Sequence, residues 1–249
     1  MYLQILLKHL NMQNLQNYYL KIPFLPSCPD ELTTFAGLFK LPDGTTVAGG
    51  ICAYNGDHAA ANKLMDETFR KFTTPMADML GPIPYCKLQQ LIDEQTAPHR
   101  RYYVKSNLMR TIPDEVIDMI VEGYSKVPSP LTMLAFQQFG NAIGRFPKDA
   151  TAFGHRDAIV EQVMFSCWED PAEDDVNKQW ARGLSDQCSP FAHGHYVNQT
   201  GSLEEEGADR VQAAYGDNWD RLSALKAKYD PMNLLLDHRV EAWPQIEKE

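Results

Sequence analysis

Short apolar runs, broken by turn-forming residues, alternate along most of the chain. Leu41-Pro-Asp-Gly predicts a turn, and residues 45–54, rich in β-branched and small side chains, predict the strand that follows it. Asn55-Gly56-Asp57 supplies a second turn. A helix is expected over 57–72, with Leu64, Met65, Phe69 and Phe72 on one face. After the stiff GPIPY connection, 86–93 reads as a short helix and 101–109 as a strand. Pro113 opens the next helix, with Asp114 and Glu115 in its first turn. Val116, Ile117, Ile120, Val121 and Tyr124 form its apolar face, and KVPSP ends it. Residues 131–139 predict a strand, and 152–168 one or two more. The clearest helix covers 171–184, where Val176, Trp180 and Leu184 repeat every four positions. A last helix, 218–229, repeats Trp219, Leu222 and Leu225 and stops at Asp230-Pro231. The apolar run 2–7 is too short to span a bilayer and reads as part of a short amphipathic helix covering the core.

Helices are too few, and too irregularly spaced, for repeated βαβ units. The expected class is α+β, an antiparallel β-sheet covered by helices. No internal repeat or low-complexity tract interrupts the chain.

Composition narrows the function. At 249 residues, 44% hydrophobic and 22% charged, the chain has the make-up of a globular protein. Its net charge of -10 argues against a nucleic-acid partner, which needs a basic surface to neutralise phosphates. The five cysteines form no C-x-x-C pair and no zinc spacing, and suit free thiols in a reducing compartment. With no signal peptide or membrane span recognised, a cytoplasmic location without membrane association is expected.

Short motifs give little chemistry. There is no G-x-G-x-x-G, P-loop, H-E-x-x-H or G-x-S-x-G. His193 and His195 would share a face if FAHGHYVN is a strand, but no carboxylate sits at ligand spacing, and no metal is expected. Asn198-Gln199-Thr200 is formally a glycosylation sequon, without a secretion signal to support it.

Larger patterns are more specific. YGDNWDRLSALKAKYDPMNLL, at 215–235, resembles the C-terminal signature of the berberine-bridge-like FAD-linked oxidoreductases. Other pieces arrive in that family's order: PDELT at 29–33, PMADMLGPIPYCKLQQLID at 75–93 and RYYVKSNLM at 101–109. DATAFGHRDA at 149–158, WEDPAEDDVNKQWAR at 168–182 and FAHGHYVNQTG at 191–201 follow. The resemblance covers about nine tenths of the chain. It implies the substrate domain of the vanillyl-alcohol-oxidase-like flavoproteins, with a divergent segment over 1–28, a substrate-binding domain over 29–195 and a berberine-like segment over 196–249. The family's Gly-rich FAD-binding domain has no counterpart in these residues.

What the resemblance implies for the site follows from flavin chemistry, in which the protein orients the substrate and a base takes a proton. Tyr196 and Asn198 stand at the family's Tyr-x-Asn positions, where a strand would place them on one face. Tyr196 becomes a candidate catalytic residue, and Asn198 and Gln199 candidate flavin contacts. Gln199 stands where some members have a catalytic tyrosine, and a neutral amide is a poor base. Lys105 and Ser106 match a Lys-Ser strand. Lys105 is a candidate for stabilising negative charge, and Tyr103, two residues away, for the same face. His155, Arg156 and His195 are candidate substrate-binding residues. Arg156 alternatively forms a structural ion pair, for instance with Asp157.

Three readings stand. The chain is the substrate-side portion of an FAD-dependent oxidoreductase acting on an alcohol, sugar or natural product, with a separate FAD-binding domain as partner. Alternatively it is a non-catalytic remnant that binds a small molecule or a protein. In the third reading it builds its flavin site in a homo-oligomer.

Overall fold

The structure is a computed structural model that describes residues 2–9, 28–68, 70, 77–79, 81–199, 208–232 and 234. Strands β2 (Leu32–Lys40) and β3 (Thr46–Tyr54) form a hairpin in register from Leu32↔Tyr54 to Lys40↔Thr46. The expected turn closes it. The Leu41 carbonyl accepts from the Gly44 amide at 2.8 Å, and Asp43 Oδ1 accepts from the Thr45 amide at 2.9 Å. Gly44 sits at φ +84°, a conformation that favours glycine. Strand β2 had no counterpart among the sequence expectations.

The N-terminal apolar run is a strand, β1 (Tyr2–His9), not the expected amphipathic helix. It pairs antiparallel along the whole of β3, from Tyr2↔Tyr54 to His9↔Val47. The second edge of β3 carries a row of backbone donors and acceptors that need partners, and an eight-residue segment satisfies that edge better than a two-turn helix would. The two-residue strands β4 (Ala77–Asp78) and β5 (Gly81–Pro82) lie on the outer edge of β1.

Helix α1 (His58–Glu67) starts where expected. Asp57 caps it by accepting from the Ala60 amide at 2.9 Å, and Ala61 and Met65 face inward. Phe69 and Phe72, also assigned to this face from sequence, lie outside the described residues. Next come α2 (Tyr85–Gln89), β6 (Arg101–Met109), α3 (Asp114–Ser125), β7 (Met133–Gln138) and β8 (Val160–Trp168). Among the described residues the remaining α-helices are α4 (Asp174–Cys188), α5 (Ala208–Tyr215) and α6 (Trp219–Tyr229).

The strands form one antiparallel sheet in the order β4-β1-β3-β2-β7-β8-β6, with β5 also on β1. Side chains alternate between its faces. Leu38, Leu134, Phe136, Val160, Met164 and Met109 point to one face and bury against α3 and α4. The two helices pack closely because Gly123 has no side chain: a Cβ there would lie 2.7 Å from Leu184 Cδ1. Beside this contact the Trp180 indole donates to the Gly123 carbonyl at 2.9 Å. The buried stripe of α4 is Asn177, Ala181, Leu184, Ser185 and Cys188. Val176, assigned inward from the four-residue repeat, is 50% exposed. The architecture is the α+β class expected from sequence. The five cysteines are free, and no helix among the described residues is long and apolar enough to cross a membrane.

Two expected strands are loops. Residues 152–157 form bends and a turn, held by the Arg156 guanidinium donating to the Phe153 carbonyl at 3.1 Å and the Ile143 carbonyl at 3.3 Å. Residues 191–199 pair with the sheet at one bridge, Gly194 to Leu108, beside which His193 and His195 bond to carbonyls of β6. The strip then turns into a 3-10 segment, Val197–Gln199.

Candidate functional site

A cleft of about 180 Å³ lies where the chain beyond β8 meets the ends of β6 and β8. Arg110, Lys148, His155, Asp157 and His193 line one part, and Tyr215, Gly216, Asp217 and Asn218 another. Asp157 is its electrostatic centre. Arg110 donates to Oδ2 through Nε at 3.0 Å and also through Nη2, and Lys148 reaches the same oxygen at 3.3 Å. Partial burial works to raise the Asp157 pKa. The hydrogen bonds from Arg110 and Lys148 outweigh it and bring the carboxyl down to about 2.

The histidines are fixed by backbone. His193 Nδ1 donates to the Leu108 carbonyl at 3.1 Å, and its Nε2 stands 3.3 Å from Asp157 Oδ1. Burial and the nearby Arg110 charge hold His193 below the ordinary histidine pKa. His195 Nδ1 donates to the Ser106 carbonyl at 3.1 Å. His155 Nε2 donates to the Ala213 carbonyl of α5 at 3.1 Å, and its ring meets the His193 ring edge-on at 5.5 Å. His155 and His193 thus share the cleft, while His195 is bound further along β6.

Arg156 is spent on its own loop. Besides two carbonyls it binds Thr151 and lies over the Phe153 ring, 5.2 Å from its centroid. The neighbouring Asp157 pairs with Arg110 and Lys148 instead. Tyr196 packs edge-on against Phe139 and Phe153, at 6.0 and 5.8 Å, and its hydroxyl accepts from Asn198 Nδ2 at 2.9 Å. Tyr196 and Asn198 are therefore neighbours through the 3-10 turn and not through strand alternation.

Tyr103 and Lys105 lie elsewhere. Their register with Ser166 and Met164 turns both toward α4. Arg182 Nε donates to the Tyr103 hydroxyl at 2.8 Å, and Lys105 Nζ stands 5.4 Å from the centre of the Tyr103 ring. The candidates chosen from sequence therefore separate into two groups, Tyr103 and Lys105 on the α4 face of the sheet and the others on the loops beside the edge strand β6.

The opposite face of β6, β7 and β8 carries a residue that sequence reasoning missed. Glu161, on β8 between Leu108 of β6 and Gln137 of β7, is 0% exposed, and neither carboxyl oxygen has a hydrogen-bond partner. Burial pushes its pKa up to about 7, against a smaller downward pull from the nearby Ser106 hydroxyl. Ser106 is 2% exposed, and its Oγ is also without a hydrogen-bond partner. The available signal was one acidic residue in the otherwise uncharged strand VEQVMFSCW.

Residues 195–238 match the family model described as berberine and berberine like. An FAD-linked oxidoreductase of Dictyostelium discoideum is 26% identical over 208 residues, covering 82% of this chain and 43% of that protein. The chain is similar to berberine-bridge-like FAD-linked oxidoreductases over most of its length. An uncharacterized FAD-linked oxidoreductase of Bacillus subtilis is 28% identical over 166 residues, covering 66% of this chain and 36% of that protein. The fold of the chain matches the structure of BBE-like #28 from Arabidopsis thaliana with a TM-score of 0.74 at 16% identity. That match covers 96% of this chain and 56% of the other. The chain thus spans about half the length, or less, of these relatives.

Within the berberine-like segment the motif residues have visible structural work. Asp230 ends α6, with Oδ1 accepting from the Leu234 amide at 2.7 Å and Lys226 bonded to Oδ2. Asn218 donates to the Lys148 and Thr151 carbonyls at 2.8 and 3.2 Å, and Arg221 to the Asp149 carbonyl at 2.9 Å. Asn233 and Thr200 lie outside the described residues.

Proposed function

We propose that this chain is the substrate-side portion of an FAD-dependent oxidoreductase that oxidises an alcohol, sugar or natural product, with FAD held mainly by a separate FAD-binding domain. The observation that carries this reading is the asymmetry of the sheet. One face is packed under α3 and α4, while the other presents half-buried Phe35, Ile51 and Phe165 together with the unpartnered Glu161 and Ser106. Buried polar atoms left without partners cost about 1–3 kcal/mol each, a cost that a site repays when a ligand supplies the missing bonds. Coverage of 43% of one relative and 56% of another supports a further domain supplying the rest of the site.

Those orphaned atoms suit a ligand with its own polar group and give the cofactor a place on that side. Bound FAD would supply the electron acceptor for the oxidised carbon. The amides of Asn198 and Gln199, on the turn beside Tyr196, are the proposed contacts to it. Tyr196 is the proposed wall of the substrate cavity, and His195 steadies the adjoining strip against β6. His155 and Arg156 shape the loop that receives the berberine-like segment. Tyr103 and Lys105 support the sheet from the α4 side.

The test is a visible absorption titration of the purified chain with FAD. Weak, saturable binding is expected, without a stoichiometric flavin spectrum. One equivalent of tightly held flavin would overturn the proposed division between two domains.

A further inference from the structure

We propose that His193 is the pin of a pH-sensitive latch, which holds the 148–157 loop and the berberine-like segment against the end of β6 at neutral pH and releases them in mild acid. The latch goes beyond the proposed oxidation chemistry and needs neither flavin nor substrate.

Three pieces of chain meet at this ring. His193 hangs from β6 through Nδ1, which donates to the Leu108 carbonyl at 3.1 Å. A ring nitrogen that donates to a carbonyl carries the proton, so Nε2 of the neutral ring bears a lone pair. Asp157 Oδ1, from the loop, faces that lone pair at 3.3 Å. Both atoms are acceptors, both are shut off from solvent, and neither has a hydrogen-bond partner. His155, from the same loop, sets its ring edge-on to His193 at 5.5 Å and donates to the Ala213 carbonyl of α5 at 3.1 Å. Tyr215 and Asp217 of the berberine-like segment line the same cleft.

The charges around His193 decide what a proton does there. A proton on Nε2 would bond to Asp157 Oδ1, which favours the charged ring. Arg110 and Lys148 already bind the other oxygen of that carboxylate, so charged His193 would be the third cation on one anion. Asp217 is the cleft's second carboxylate, but it is exposed and water screens it. On the strip itself, His195 is bonded to the Ser106 carbonyl, with Arg210 Nη2 of α5 at 3.5 Å. Burial and the Arg110 charge oppose the proton on His193, the His155 ring adds to them, and together they outweigh Asp157. The closed junction therefore favours the neutral ring. Once the loop and the segment draw back, the ring meets water and regains its ordinary pKa near 6.5. A group whose pKa is lower in the closed form than in the open one takes its proton preferentially in the open form, so acid drives opening.

The experiment is amide hydrogen exchange of the full chain at about pH 7.5 and about pH 5.5, read by mass spectrometry and corrected for the intrinsic pH dependence of exchange. Peptides over 148–157 and 208–218 should open more in acid, by up to about tenfold, the ratio that one proton taken up near 6.5 allows over that range. Peptides over β8 should not open more. His193→Asn keeps a donor for the Leu108 carbonyl but cannot take the charge, and its response to acid should be flat. His155→Gln keeps the donor to Ala213 and should retain a rise. No rise in the wild type, or an equal rise in His193→Asn, would overturn the latch. Opening of β8 in step with the segment would reveal global unfolding and overturn it too, and a rise lost only in His155→Gln would move the pin to His155. Should His193→Asn not fold, the assigned 13Cε1 resonance of His193 in the wild type still decides. Titration below 6.5 supports the latch, and titration at or above 6.5 overturns it.

Discussion

The ring of His155 occupies the space where a side chain on Gly194 would stand. A Cβ on Gly194 would lie 2.3 Å from His155 Cε1, 2.6 Å from Nδ1 and 2.7 Å from Nε2. This contact joins the 152–157 loop to the strip beside β6, and the His155 bond to Ala213 extends it to α5. Gly194→Ala should therefore displace His155 and cost about 1–3 kcal/mol, as overpacking does. For a chain of this size that is a fall in Tm of about 2–4 °C per kcal/mol. The accompanying sign is faster proteolysis within 195–232, and a melt and digestion pattern like the wild type's would refute the contact's importance.

Asn218 makes the matching connection from α6. Its buried amide serves two loop carbonyls, which Asn218→Ala leaves without that donor. Urea unfolding should show a loss of about 1–3 kcal/mol. Asn218→Asp should lose more at neutral pH, because a carboxylate would then face two carbonyl oxygens. The reverse order of the two variants would count against this role.

Glu161 makes stability depend on pH in an unusual direction. Its folded pKa of about 7 exceeds its ordinary 4.5, so the folded chain keeps a proton that the unfolded chain releases. The contribution is most favourable below pH 4.5 and is lost as pH rises to about 7, by up to about 3 kcal/mol. Asp157 acts oppositely: its carboxyl, held at about 2, stabilises above 3.8 and loses this as pH falls toward 2. His193, held below its ordinary 6.5, destabilises the fold as acid charges the unfolded chain. Comparing unfolding free energies of wild type and Glu161→Gln at several pH values isolates the glutamate. The advantage of Glu161→Gln should grow from pH 4.5 to 7, and a constant difference would contradict the buried, unpartnered carboxyl.

Tyr103→Phe removes the hydroxyl that accepts from Arg182 and should cost about 0.5–1.5 kcal/mol. Because Tyr103 lies on the α4 side of the sheet, the weak binding of FAD by the chain should not change. A normal melt with lost binding would move Tyr103 back into the site.

Much of the fold was legible where the local pattern and the tertiary environment agree. The strand over Arg101–Met109 and the helix after Pro113 stand where periodicity and helix-start signals placed them. The N-terminal strand was misread because a short apolar run does not distinguish strand from helix, and the decisive fact was the edge of β3 far along the chain. The start of the 152–168 stretch and the 191–199 stretch were read as strands, yet Arg156 holds the first in a loop and the second meets β6 at a single bridge, Gly194 to Leu108. Tyr103 and Lys105 were drawn together correctly by alternation, but alternation does not say which face meets a helix. Glu161 escaped notice because its significance comes from burial without partners, which only the assembled strands create.

The strand order also sets the order of events when the chain is made. The amide and hydroxyl of Thr34 both bond to Gln138 Oε1, 104 positions away. The edge of β2 must therefore wait for β7, and β8 must then settle between β7 and β6. Contacts so distant in sequence make for slow folding. A nascent chain paused before residue 133 exposes the unpaired edge of an already formed hairpin, the kind of surface through which incomplete chains aggregate.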